Sequence, residues 1–189
     1  TGELAEQGRI DESALTLIDT QVFNGSTSWI AMTTGIDSSY DAYRLVIANA
    51  VPISNNVDMW LRVSLDAGVS WVSTGSLYNH ALQQFSSGGA TVTVTGGTNQ
   101  LSLSSSGAIS NTTTPGQFSA TVDFFRPSQA VQKKVVKVQS GYHDSGGATR
   151  DVWGTVVYNS SAAFNGLQLL ASSGNISTGA VYLYGMRKA

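Results

Sequence analysis

The sequence predicts an all-β chain, an antiparallel, jelly-roll-like β-sandwich of about ten to eleven short strands. Three observations predict it. From residue 14 onward, short runs place apolar residues at every second position, the period of a half-buried strand. Ser, Thr, Gly and Asn punctuate those runs at intervals of roughly 10–15 residues, as in sandwiches and barrels. Helical period and βαβ alternation are nearly absent.

The opening segment differs. Residues 1–13 hold Glu3, Glu6, Arg9, Asp11 and Glu12, five of the 22 charged residues, and no glutamate follows Glu12. Leu4 and Ile10 alone establish no heptad. The segment reads as a charged arm or stalk end, 1–13, joined to a sandwich domain, 14–189. Its charge and lack of an apolar stretch do not match a secretory signal. The chain is therefore expected to be a fragment or to reach its destination without one. No run of 18 apolar residues is available to span a membrane.

The strand-like runs follow in order. Ala14–Phe23 alternates Leu15 and Leu17 with Thr16 and Ile18. Ala42–Asn49 sets Tyr43, Leu45 and Ile47 on one face. Asp58–Asp66 is the most regular run, with Met59, Leu61, Val63 and Leu65 on one side and Trp60, Arg62 and Ser64 on the other. The turn "DAGVSW" then uses Gly68 for positive φ and leads to a partner strand from about Ser70. Leu77–Phe85, Thr91–Thr95 and Gln100–Ser104 come next. Ser86–Pro115 is poor in large apolar residues and reads as a surface hairpin or long loop. Gln117–Phe125, Val131–Tyr142, Arg150–Tyr158, Gly166–Ala171 and Gly179–Met186 complete the series. Lys133, Lys134 and Lys137 in "VQKKVVKVQ" read as the charges of a protected edge strand, with anion binding as the alternative.

Composition narrows the function. Of 189 residues 41% are hydrophobic and 12% charged, about half the usual charged share; Ser and Thr number 26 and 18. A net charge of −2 lacks the basic footprint of nucleic-acid binding. Without cysteine there are no disulfides, so stability rests on the core or on oligomerisation. His143 and Asp144 are sequence neighbours on a Gly-flanked loop, unlike a converging catalytic triad. Eight aspartates remain after residue 13, and Asp37, Asp41, Asp66, Asp144 and Asp151 fall at turns or strand ends, where Asp bends the chain. A glycosidase pair therefore has little to draw on. No zinc spacing or EF-hand loop occurs, and "DSSYD" (37–41) and "DAG" (66–68) read as turns before they read as calcium loops. No cofactor, metal site or catalytic residue is expected.

Ligand recognition would use loops that combine an aromatic ring with amide, imidazole or carboxylate groups. Two runs do so: Tyr78, Asn79 and His80, and Tyr142, His143 and Asp144. Either could stack a sugar on its tyrosine. In the competing reading both tyrosines sit at strand ends and close the core. The four Asn-x-Ser/Thr sequons barely exceed chance for ten Asn in so hydroxyl-rich a chain.

Three segments carry a resemblance: "SSYDAYRLVIANA" (38–50), "LRVSLDAGVSW" (61–71) and "LLASSGNISTGAVYLYGMRK" (169–188). Their order resembles the C-terminal β-sandwich domain of tailed-bacteriophage tail-fibre and other virion structural proteins. The resemblance implies a non-enzymatic virion protein, a tail fibre, spike or capsid-surface appendage, and hence location on an extracellular particle. It implies an all-β, often trimeric module joined to the virion or to a stalk through the N-terminal segment; the first reading is accordingly a homotrimer that displays a host-binding surface, with a glycan as the candidate ligand. The doublets Phe124–Phe125 and Val135–Val136, which alternate imperfectly, are expected at a subunit interface. The alternatives are a purely architectural capsid decoration or adaptor, and a carbohydrate-active enzyme or its binding module.

Overall fold

The structure is a computed structural model that describes residues 15–86, 88–104, 109–112 and 117–186. The expected arm, 1–13, lies outside them. Twelve strands form among the described residues: β1 (Leu15–Val22), β2 (Trp29–Met32), β3 (Ala42–Pro52), β4 (Met59–Ser64), β5 (Tyr78–Ser86), β6 (Gly89–Thr98), β7 (Leu101–Ser102), β8 (Phe118–Phe125), β9 (Lys134–His143), β10 (Thr149–Tyr158), β11 (Gly166–Ala171) and β12 (Ile176–Met186). No helix occurs among the described residues.

All pairings are antiparallel and build two packed sheets. The larger has the order β1-β12-β3-β8-β9-β10-β5-β6, the smaller β2-β11-β4-β7. Within them lies the winding of a jelly roll. The quartet β1-β12-β3-β8 faces β2-β11-β4-β7, and the chain changes sheet at each step β1–β2–β3–β4, then β7–β8 and β11–β12. The remaining strands are two inserted hairpins. β5–β6 enters between β4 and β7, and β9–β10 between β8 and β11. They pair through β10 and β5 and prolong the large sheet by four strands.

Period-2 patterning explains the core. Phe118, Ala120, Val122 and Phe124 of β8 are buried, as are Tyr43, Leu45 and Ile47 of β3. Phe124 and Tyr158 meet Phe164 edge-on, with centroids 5.9 and 6.2 Å apart. The doublets resolve cleanly: Phe124 and Val136 point inward, while Phe125 and Val135 are exposed.

Several expectations change. β2 was not anticipated, because four residues are too few to display a period. Leu65 does not join Leu61 and Val63 in the core but is 45% exposed. β4 ends at Ser64, whose hydroxyl accepts the Gly68 N–H (2.8 Å) and donates to Asp66 (2.7 Å), so the turn rotates Leu65 outward. Gly68 does adopt positive φ, +90°. The returning chain forms no strand from Ser70; it gives β4 one hydrogen bond, Val72 N–H to Val63 O.

The lysine-rich run is not an edge. β9 lies inside the large sheet between β8 and β10, and the edges are β1 and β6. Lys134 is buried, and its ammonium donates to the Gln132 and Ser161 carbonyls. Burial lowers its pKa.

Candidate functional site

The structure separates the two expected ligand-binding runs. Tyr78 pairs with Tyr158 and through it with Lys134, whereas Tyr142 pairs with Arg150 and through it with Ser86. They occupy opposite ends of the same three strands, eight residues or roughly 27 Å apart.

Both tyrosines belong to the core. Tyr78 is fully buried; its hydroxyl donates to Val72 O and accepts from Val63 N–H, both at 3.1 Å. Burial is the main cause that raises its pKa. Tyr142 is also buried, its ring 5.9 Å from Phe118 and its hydroxyl 3.4 Å from Gln84. Neither ring is open to a sugar. The signal was present: Tyr78 shares strand parity with Leu82, and Tyr142 with Val136 and Val138. Asn79 accepts the Gly97 N–H (2.8 Å), and His80 points inward and is buried. His143 is half-buried at the end of β9.

Asp144 is a turn anchor. One carboxylate oxygen accepts the N–H groups of Gly146 (2.9 Å) and Ala148 (2.8 Å), and the other accepts Arg150 Nε (2.7 Å). Desolvation pushes its pKa up, but the hydrogen bonds and the Arg150 charge outweigh it and leave the pKa lowered. Asp66 is held at about 2, first by the Ser70 hydroxyl. A lowered folded-state pKa contributes stability above the unfolded value near 3.9, and that contribution is lost as pH falls through the folded value. Thermal stability should therefore fall steeply below about pH 4. Asp144→Asn should melt earlier than the parent at pH 7, and the difference should shrink as pH falls below about 4, as followed by circular dichroism.

The more open chemistry lies on the outer face of the large sheet. Register aligns outward side chains into rows across the strands. One row runs Tyr184, Arg44, Asp123, Lys137, Thr155, Ala81; the next runs Tyr182, Val46, Thr121, Gln139, Trp153, Gln83. Arg44 grips Asp123 with two hydrogen bonds, 2.7 and 2.8 Å, and Lys137 donates to the Thr155 hydroxyl at 2.8 Å. Small residues (Ala48, Ser119 and Gly141) occupy a third row and leave a shallow depression of about 500 Å³ that extends to Asp151. A second hollow of about 290 Å³ adjoins it over Thr121 and Gln139 and reaches Trp153.

Trp153 stands beside this trough, 49% exposed. Its ring stacks on Phe85 with centroids 6.2 Å apart and planes 9° apart. The two parallel, partly exposed rings thus form one apolar ledge, flanked by Gln83, Gln139, Lys137 and Asp151. A pyranose offers CH groups to such a ring and hydroxyls to such neighbours. Sequence reading passed over Trp153, although its parity is opposite to buried Val152, Val156 and Tyr158. Asp37 and Asp66 accept backbone or hydroxyl hydrogen bonds within their own turns. Among the described residues no three His, Asp or Glu side chains gather as metal ligands. No protein-family model, no curated protein and no solved structure matches this chain.

Proposed function

We propose that this chain is a non-enzymatic bacteriophage virion protein whose jelly roll binds a host-surface glycan along the outer face of its large sheet. The observation that carries the binding reading is the Trp153–Phe85 ledge beside a trough floored by small residues and bordered by amide, ammonium and carboxylate groups. The same double-sheet winding serves viral capsid and lectin domains. The virion setting rests on the resemblance of residues 38–50, 61–71 and 169–188 to tail-fibre domains. Exposed Phe125 and Val135 offer apolar surface for a homotrimer interface.

A purely architectural role is the second reading. It is favoured by β6, an edge strand without charge or proline whose Val92 and Val94 are 69% and 77% exposed. Uncovered edges of this kind invite pairing with another chain.

The test is binding of the purified chain to a glycan array and to bacterial cells, with Trp153→Ala alongside. Affinity should fall about tenfold or more when the indole is removed. The melting midpoint should stay close to that of the parent, because the ring is half exposed. A variant that binds as the parent does removes the ledge from the site. A parent that binds neither glycans nor cells moves the architectural reading to first place.

A further inference from the structure

The large sheet runs past the small one, and the overhang creates a cleft. Beyond β7, the two-residue edge of the small sheet, no strand among the described residues lies opposite the inner face of β5–β6. A cavity of about 250 Å³ opens there, lined among others by Asp58, Trp60, His80, Thr93, Thr95 and Gln100. β6 is patterned for this position. Its hydroxyls, Thr93 and Thr95, face the cleft, while Val92 and Val94 face outward, the reverse of a strand that covers a core.

The polar groups are set firmly. Asp58 accepts the Ser104 hydroxyl at 2.8 Å, and its own N–H donates to Ser172 Oγ at 2.9 Å. His80 Nε2 accepts the Ser102 N–H at 2.8 Å, so that nitrogen carries no proton; Nδ1 lies 3.3 Å from the Thr98 hydroxyl. Burial lowers the pKa of this imidazole. Asp58 is the one acidic side chain among the described residues lining the cleft, and no Lys or Arg lines it.

We infer that this cleft is a second binding site, separate from the outer ledge, for a single uncharged pyranose ring. The volume is below the roughly 300 Å³ at which drug-sized pockets begin. Trp60 supplies an apolar face for ring CH groups, and Asp58 with the threonine hydroxyls and Gln100 supplies partners for sugar hydroxyls. An acidic side chain with no Lys or Arg among the described lining residues disfavours sialic and uronic acids. The inference shares only its ligand class with the reading above, since the two sites lie on opposite faces of β5.

Saturation-transfer NMR with glucose, galactose, mannose and N-acetylneuraminic acid, each at roughly 10 mM, tests it on the full chain. At least one neutral hexose should give signal and the acid none. Asp58→Asn keeps the Ser104 hydrogen bond and should weaken hexose binding about tenfold. Thr95→Tyr, at an exposed rim position, should abolish it by filling the cleft. Trp153→Ala should leave it unchanged. The inference is overturned by absence of signal from all three hexoses, by equal signal from the acid, or by loss in Trp153→Ala with Asp58→Asn and Thr95→Tyr both binding as the parent. That last pattern would assign the signal to the ledge.

Discussion

Val63→Asp should leave the chain unfolded or nearly so at ordinary temperature. Val63 is 2% exposed in β4, opposite Leu167 and close beneath the Tyr78 hydroxyl that its N–H reaches. A carboxylate there loses its hydration and gains no cation. Uncompensated buried charge costs about 3–5 kcal/mol, against a typical total stability of about 5–15 kcal/mol. Arg62→Ala, one residue away on the opposite face, is the control. Arg62 Nε is buried with no hydrogen-bond partner among the described residues, so its removal costs chiefly methylene packing, about 1 kcal/mol. Thermal melts by circular dichroism compare the two, and equal losses would show that β4 faces the other way.

Gly154→Val is the second large effect. A Cβ at Gly154 would lie 2.2 Å from the Ala81 carbonyl oxygen and 2.9 Å from Leu82 Cα. Both atoms are backbone of the paired strand, so no rotamer change relieves the clash and β10 must part from β5. That pairing fastens the β5–β6 arm and hence both the ledge and the cleft. A loss of roughly 3 kcal/mol is expected, with faster amide hydrogen exchange across β5 and β6. Gly141→Ala is the matched control on the trough floor: its nearest non-neighbour is the Arg150 carbonyl at 3.8 Å, an ordinary distance. Hydrogen exchange in the arm that is no faster in Gly154→Val than in Gly141→Ala would refute the role of Gly154.

Strand alternation was legible wherever a run exceeded about five residues. β3, β8, β10 and β12 begin within three residues of where their patterns begin, because a strand half in water writes its burial directly into every second side chain. β2 escaped because four residues carry no period. Leu65 was misplaced because the Ser64–Asp66 turn, a local hydrogen-bond network, overrides parity by rotating the chain. The lysines were misread for a different reason. Edge and centre differ only in whether a second strand pairs, and composition is a weak guide to that. β9 is central because β10 folds back on it, and Lys134 reaches the neighbouring Gln132 carbonyl and the Ser161 carbonyl, which lies far along the chain.

The all-β class, the approximate strand number and the inward parity of most strands follow from residue order alone, since these depend on local period and turn chemistry. The order of the strands within each sheet, the two inserted hairpins and both candidate sites do not. The ledge joins Trp153 of β10 to Phe85 of β5, and the cleft joins Asp58 and Trp60 to Thr93 and Thr95 of β6. Each juxtaposes residues more than thirty positions apart, through sheet register and through the overhang of an eight-stranded sheet over a four-stranded one. Register and overhang are set by the sum of all pairings and by close approaches such as Gly154 against Ala81. No single segment contains that information.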